Sequence, residues 1–192
     1  MLDLRHPTPP EWLDAVLADF DSFLIDHAAC ERKASATGMN FVVRYPDRPE
    51  LVEPLIEFAR EELEHFQIVY RLMRERGLCL RDDYKDPYVN ALRAQCRSGP
   101  NELLLDRLLV AGVIEARSCE RLFLLAEELS RREAPFAAVY LGLARAESRH
   151  HGLFFRLARQ AIGEAETLAR AAELLDFEAE LVRRLPHRAA VH

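Results

Sequence analysis

Arg60-Glu61-Glu62-Leu63-Glu64-His65-Phe66 sets Glu62 and His65 three residues apart, so on a helix the two side chains stack on one face. The same spacing recurs in Ala146-Glu147-Ser148-Arg149-His150. A lone glutamate on an earlier segment precedes each pair, Glu31 the first and Glu115 the second. The interval from Glu31 to Glu62 is 31 residues and that from Glu115 to Glu147 is 32. The chain therefore reads as two similar half-sites, each a Glu followed by Glu-x-x-His. That is the donor set of a carboxylate-bridged two-metal centre inside a four-helix bundle.

Hydrophobic periodicity places all six residues on helical stripes. A first helix is expected over about 9–37, opened by a capping box at Thr8-Pro9-Pro10-Glu11 and closed by Gly38, with Leu24, His27 and Glu31 in its apolar stripe. A second, over 48–76, starts at Asp47-Arg48-Pro49-Glu50 and ends at Gly77; Glu62 and His65 share its stripe with Leu55, Phe58 and Val69. Residues 77–100 form a charged crossover with a turn-rich piece, Arg81-Asp82-Asp83-Tyr84-Lys85, and a short helix from Asp86-Pro87. A third helix (101–130) carries Glu115 between Leu108 and Leu122, and a fourth (134–162) carries Glu147 and His150 between Leu143 and Phe154. After Gly163, an amphipathic helix over 164–185 (Leu168, Leu175, Leu181) is expected to pack outside the bundle. The fold class is all-α: a ferritin-like four-helix bundle with one long crossover and added peripheral helices, in a single domain over 1–192.

At 192 residues and 49% apolar, the chain can bury a sizeable core. The charge of -6 argues only weakly against a nucleic-acid partner, because bound cations would neutralise several glutamates. Its cysteines (Cys30, Cys79, Cys96, Cys119) include no C-x-x-C pair, which excludes a zinc ribbon or rubredoxin-type site and suits reduced thiols. With no apolar h-region and no uncharged span of membrane length, a cytoplasmic protein is expected.

Four ionised carboxylates in one apolar core would cost several kcal/mol per ion without compensating charge, which two metal ions supply. Carboxylates with one imidazole per metal suit iron or manganese better than zinc or copper. His27, one turn before Glu31, reads as a packed core histidine or as a partner of that carboxylate. His151 is an alternative to His150 as ligand.

With those residues placed, the sequence resembles the MiaE-type tRNA hydroxylases. The features are Trp12, Phe23-Leu24-Ile25-Asp26-His27-Ala28 leading to Glu31-Arg32-Lys33-Ala34, then Glu61-Glu62-Leu63-Glu64-His65-Phe66 and Arg145-Ala146-Glu147-Ser148-Arg149-His150-His151. The resemblance implies that Glu31, Glu62, His65, Glu115, Glu147 and His150 hold two iron ions. It implies hydroxylation of the isopentenyl group of 2-methylthio-N6-isopentenyladenosine in tRNA, with dioxygen as co-substrate and electrons from an external ferredoxin or flavin-type reductase. A tRNA partner needs basic surface; the arginines and lysine read for it are Arg44, Arg48, Arg81, Lys85, Arg93, Arg97, Arg131, Arg132, Arg183 and Arg184. Competing readings are another ferritin-like di-iron protein, either a peroxidase or oxygenase of a small substrate or an iron-oxidising storage protein, and a metal-free helical scaffold.

Overall fold

The computed structural model describes residues 4–82 and 85–192; Asp83 and Tyr84, within the expected turn-rich piece, lie outside them, as do residues 1–3. The described residues form seven helices and no strand: α1 (Pro10–Ala18), α2 (Phe20–Arg44), α3 (Pro49–Glu75), α4 (Pro87–Arg93), α5 (Pro100–Arg131), α6 (Ala137–Ile162) and α7 (Glu164–Arg184). Two compact units divide the chain. One holds Asp14–Tyr84 with His187–Val191, and the other Met1–Leu13, Lys85–Pro186 and His192.

The first unit is the antiparallel pair α2 and α3. The single first helix expected over 9–37 is two helices, because Asp19 interrupts it: its carboxylate accepts the backbone N–H of Ser22 at 3.1 Å and caps α2. Gly38 does not close that helix. It lies inside α2, and a Cβ there would sit 2.9 Å from Phe58 Cδ1, 3.0 Å from Ala59 Cβ and 3.1 Å from the Leu55 carbonyl. The glycine is a contact point where two helices approach closely, and the helix runs on to Arg44. Gly77 does end α3, at φ 72°, with the Leu78 N–H reaching back to the Met73 carbonyl at 2.9 Å. The α3 N-cap is Arg48, without a side-chain cap bond, so Asp47 does not open a capping box.

The second unit is built on α5, which is buried on nearly every side and carries charge into the core. Fully buried Arg117 forms a two-pronged pair with fully buried Glu178 of α7, Nε to Oε1 at 2.8 Å and Nη2 to Oε2 at 3.0 Å. Its remaining N–H groups donate to Thr8 Oγ1 (3.0 Å), to the His6 carbonyl (2.8 Å) and to Glu120. The Tyr88 hydroxyl donates to Glu178 at 2.9 Å, bringing α4 into the same network. Thr8 is thus spent on α5, donating to Glu120 Oε2 at 2.7 Å, and the capping box expected at Thr8-Glu11 does not form. Fully buried Asp106 accepts from Arg97 (2.9 Å) and Arg170 (2.9 Å). On α7 the expected apolar stripe is partly displaced: Leu168 is exposed, and Thr167 and Glu178 are buried instead.

Two stability predictions follow from these contacts. Gly38→Ala gains helix propensity, at most ~1 kcal/mol, but forces Phe58 and Leu55 apart at ~1–3 kcal/mol; chemical denaturation should show net destabilisation of about 1 kcal/mol. Asp86 caps α4 by accepting from Tyr88 N–H (2.8 Å) and Val89 N–H (3.3 Å). Burial pushes its carboxyl up, but a hydrogen bond and charge from His192 and those two backbone donors outweigh it, so the pKa falls from 3.8 to about 2. A depressed carboxylate pKa stabilises the fold above pH 4 and loses that contribution as pH falls toward 2, a term of ~2 kcal/mol. Asp86→Asn should remove it at pH 7 and flatten the pH 4 to 2 limb of the stability profile; an unchanged limb would count against the assignment.

Candidate metal centre

Helix register brings the half-site residues together within each unit. In the first, Ser35 Oγ donates to the Ala59 carbonyl at 2.7 Å. In an antiparallel pair, Glu31, one turn before Ser35, then faces α3 between Glu62 and His65. His65 Nδ1 lies 3.7 Å from Glu31 Oε2 and 3.8 Å from Glu62 Oε1, and all three side chains are buried. In the second unit, Cys119 Sγ meets the Ala144 carbonyl at 3.6 Å. α5 and α6 are antiparallel neighbours joined by a short turn, so Glu115, one turn before Cys119, is level with Glu147 and Ser148. His150 Nδ1 lies 3.4 Å from Glu147 Oε2. Glu115, Glu147 and His150 are likewise buried.

Glu62 and His65 in the first unit, and Glu147 and His150 in the second, are buried side chains able to ligate a metal ion. His150, not His151, belongs to this group, although His151 is also buried. Glu31 joins through its 3.7 Å approach to His65; Glu115 is placed by register and burial rather than by membership of the four. His27 does more than fill the core. It packs on Phe23 at 5.6 Å, and its Nε2 is 2.6 Å from Glu31 Oε1, which fixes one carboxylate oxygen of Glu31 and leaves Oε2 toward His65.

These spacings fit a divalent metal. Nitrogen-to-oxygen separations of 3.7 and 3.8 Å are too long for hydrogen bonds. Two donors ~2.1 Å from a shared ion sit roughly 3 to 4 Å apart, depending on the angle between them. The donor chemistry agrees: carboxylate oxygens with one imidazole for each half-site match iron or manganese. Two other buried acids, Asp106 and Glu178, are each held by arginine. Nearby, burial and then the charge of Glu147 push the Cys119 thiol up to about 11, so this cysteine stays a neutral packing group.

Helical architecture and a buried carboxylate–histidine group define the class: an all-α, ferritin-like four-helix protein with a candidate metal site. The chain belongs to the family described as tRNA-(MS[2]IO[6]A)-hydroxylase (MiaE), whose model matches residues 2–192. A Pseudomonas putida protein named tRNA 2-(methylsulfanyl)-N(6)-isopentenyladenosine(37) hydroxylase is 39% identical over 181 residues, covering 94% of this chain and 86% of the relative. A Salmonella typhimurium protein of the same name is 32% identical over 228 residues, covering 93% and 83%. Among solved structures, a Synechococcus protein described as having aldehyde deformylating oxygenase activity superposes with a TM-score of 0.91 at 37% identity, covering 98% of this chain and 94% of that one. No helix among the described residues is long and apolar enough to cross a membrane.

Metal binding should stabilise the protein by mass action, ~2.7 kcal/mol at one hundred times the dissociation constant. Ferrous iron added anaerobically to metal-free protein should raise Tm by several degrees. The double variant Glu62→Gln/Glu147→Gln should lose that shift, yet in the metal-free state match or exceed the wild type, having shed two buried charges. A wild-type Tm indifferent to iron would remove the metal assignment.

Proposed function

We propose that this chain is a di-iron monooxygenase that hydroxylates the isopentenyl side chain of 2-methylthio-N6-isopentenyladenosine in tRNA. It works as a single ferritin-like domain in the cytoplasm, where its tRNA substrate is found. The observation that carries the reading is the pairing of two buried Glu-x-x-His half-sites with a family match across residues 2–192. Glu31, Glu62, His65, Glu115, Glu147 and His150 are the proposed ligands. Iron held there would supply reductive activation of dioxygen, with two electrons from a ferredoxin or flavin-type reductase.

The chain's own residues have definable parts in this. The six buried side chains would hold two ions with little rotamer freedom, and their burial would keep bulk water from the reacting centre. His27 holds Glu31 at Oε1 and so sets which oxygen faces His65. The target base lies in a single-stranded loop of tRNA and can be splayed toward a pocket without melting a duplex.

A second reading has an observation of its own: the Synechococcus neighbour, whose description names aldehyde deformylating oxygenase activity, is 37% identical over nearly the whole chain. One assay separates them. Iron-loaded, reduced protein is given dioxygen and tRNA bearing the methylthio-isopentenyl base, and digested nucleosides are read by mass spectrometry. Gain of one oxygen on that nucleoside, lost in Glu62→Ala, is the expected result. An unchanged nucleoside alongside turnover of an aldehyde would replace the first reading with the second.

A further inference from the structure

The outward face of α6 carries residues that nothing in the ligand geometry uses. Gly142, Arg145, Arg149, Gly152 and Arg156 follow one another in steps of three and four, which places them in one row along the helix. The three arginines and Gly142 are exposed, and Gly152 is partly so. The sole acidic residue of α6 is Glu147, buried on the opposite face. Arg145 and Arg156 make no ion pair among the described residues. By contrast, the charges of Arg97, Arg131 and Arg132, read from sequence as nucleic-acid candidates, are met internally by Asp106 and Glu128.

The glycines point the same way. Glycine inside a helix is destabilising relative to alanine, so two on one row need a reason. Packing supplies none: a Cβ at Gly142 would meet nothing within 4 Å, and one at Gly152 only the tip of Arg156 at 3.4 Å. Gly38, where three neighbours crowd within 3.1 Å, shows what a packing requirement looks like. Like charges one turn apart at Arg145 and Arg149 also disfavour the isolated helix. A row that costs the fold stability, is smooth at two points and cationic between them suits close approach by a polyanionic backbone.

We propose that this row of α6 is a docking surface for the phosphodiester backbone of tRNA. From Arg145 to Arg156 it spans ~16 Å of helix, enough to meet more than one phosphate. The same helix presents Glu147 and His150 on its inner face, so backbone docking and the metal ligands share one rigid element. The inference rests on the tRNA reading above.

The test is fluorescence anisotropy of full-length protein titrated with a labelled, unmodified tRNA transcript over a range of KCl. In Arg145→Gln/Arg156→Gln the slope of log K against log salt should fall by about 1.5 to 2, with wild-type Tm and iron content. Wild-type slope and affinity in that variant would overturn the inference. Gly142→Gln/Gly152→Gln should raise Tm while weakening tRNA binding; a lower Tm with unchanged binding would return the glycines to a packing role and sink the argument from them. Competition by poly-glutamate as effective as by tRNA would assign the row to an acidic protein instead. The two proposals fail separately. Steep, arginine-dependent tRNA binding without oxygen insertion defeats only the hydroxylase reading. Hydroxylation of tRNA with the arginine variant indistinguishable from wild type defeats only the docking surface.

Discussion

Taking an ionised carboxylate out of water costs several kcal/mol unless something else replaces the lost solvation, and this fold does so repeatedly. Its helices answer that constraint in three ways. Asp106 and Glu178, fully buried, are each met by arginine, Glu178 through two parallel bonds from Arg117. Asp86 is met by backbone donors at a helix start and by His192. Glu31, Glu62 and Glu147 instead lie against histidines at distances suited to a shared cation. The first two answers close the fold; the third is compatible with a bound cation as the compensating charge.

The half-sites are equivalent because helix register is equivalent. A single hydrogen bond, Ser35 to Ala59, fixes Glu31 opposite the Glu62/His65 turn, and the Cys119–Ala144 contact does the same for Glu115 and Glu147. Near-equal spacing along the chain, 31 and 32 residues, follows from two long antiparallel hairpins of comparable reach. Gly38 shows how tight that arrangement is in α2 and α3, since a single methyl would intrude on three neighbours. Close approach of α2 and α3 also sets the separation of Glu31 from His65, so packing at Gly38 and the placement of Glu31 are parts of one arrangement.

Periodicity made the six ligand candidates legible because each sits in an apolar stripe, and a glutamate there is visible as an exception. The stripe positions in α3, α5 and α6 are buried as that pattern requires. What it could not reveal were choices between local and distant partners. Thr8 looks like a cap three residues before Glu11, yet its hydroxyl serves Glu120, far along the chain. Gly38 looks like a helix stop, but a glycine needed for close packing reads identically. Arg117 and Glu178, 61 residues apart, carry no local signal of pairing, and both resemble surface charges. The arginines read for nucleic acid included several committed to acids, Arg97 to Asp106 and Arg131 and Arg132 to Glu128, while the row on α6 was hidden by the ligand motif it surrounds.

α6 carries ligand candidates and free arginines in a single register, with Glu147 and His150 inward and Arg145 and Arg156 outward. A loop carrying the same arginines would bind phosphate with equal charge but could not transmit position. On a 26-residue helix, the offset between the outer row and the ligands is fixed by backbone hydrogen bonds. An anchored strand would therefore be held at a constant distance from the ligand turn, and precision of that order is what oxygen insertion at one carbon of a flexible prenyl chain demands.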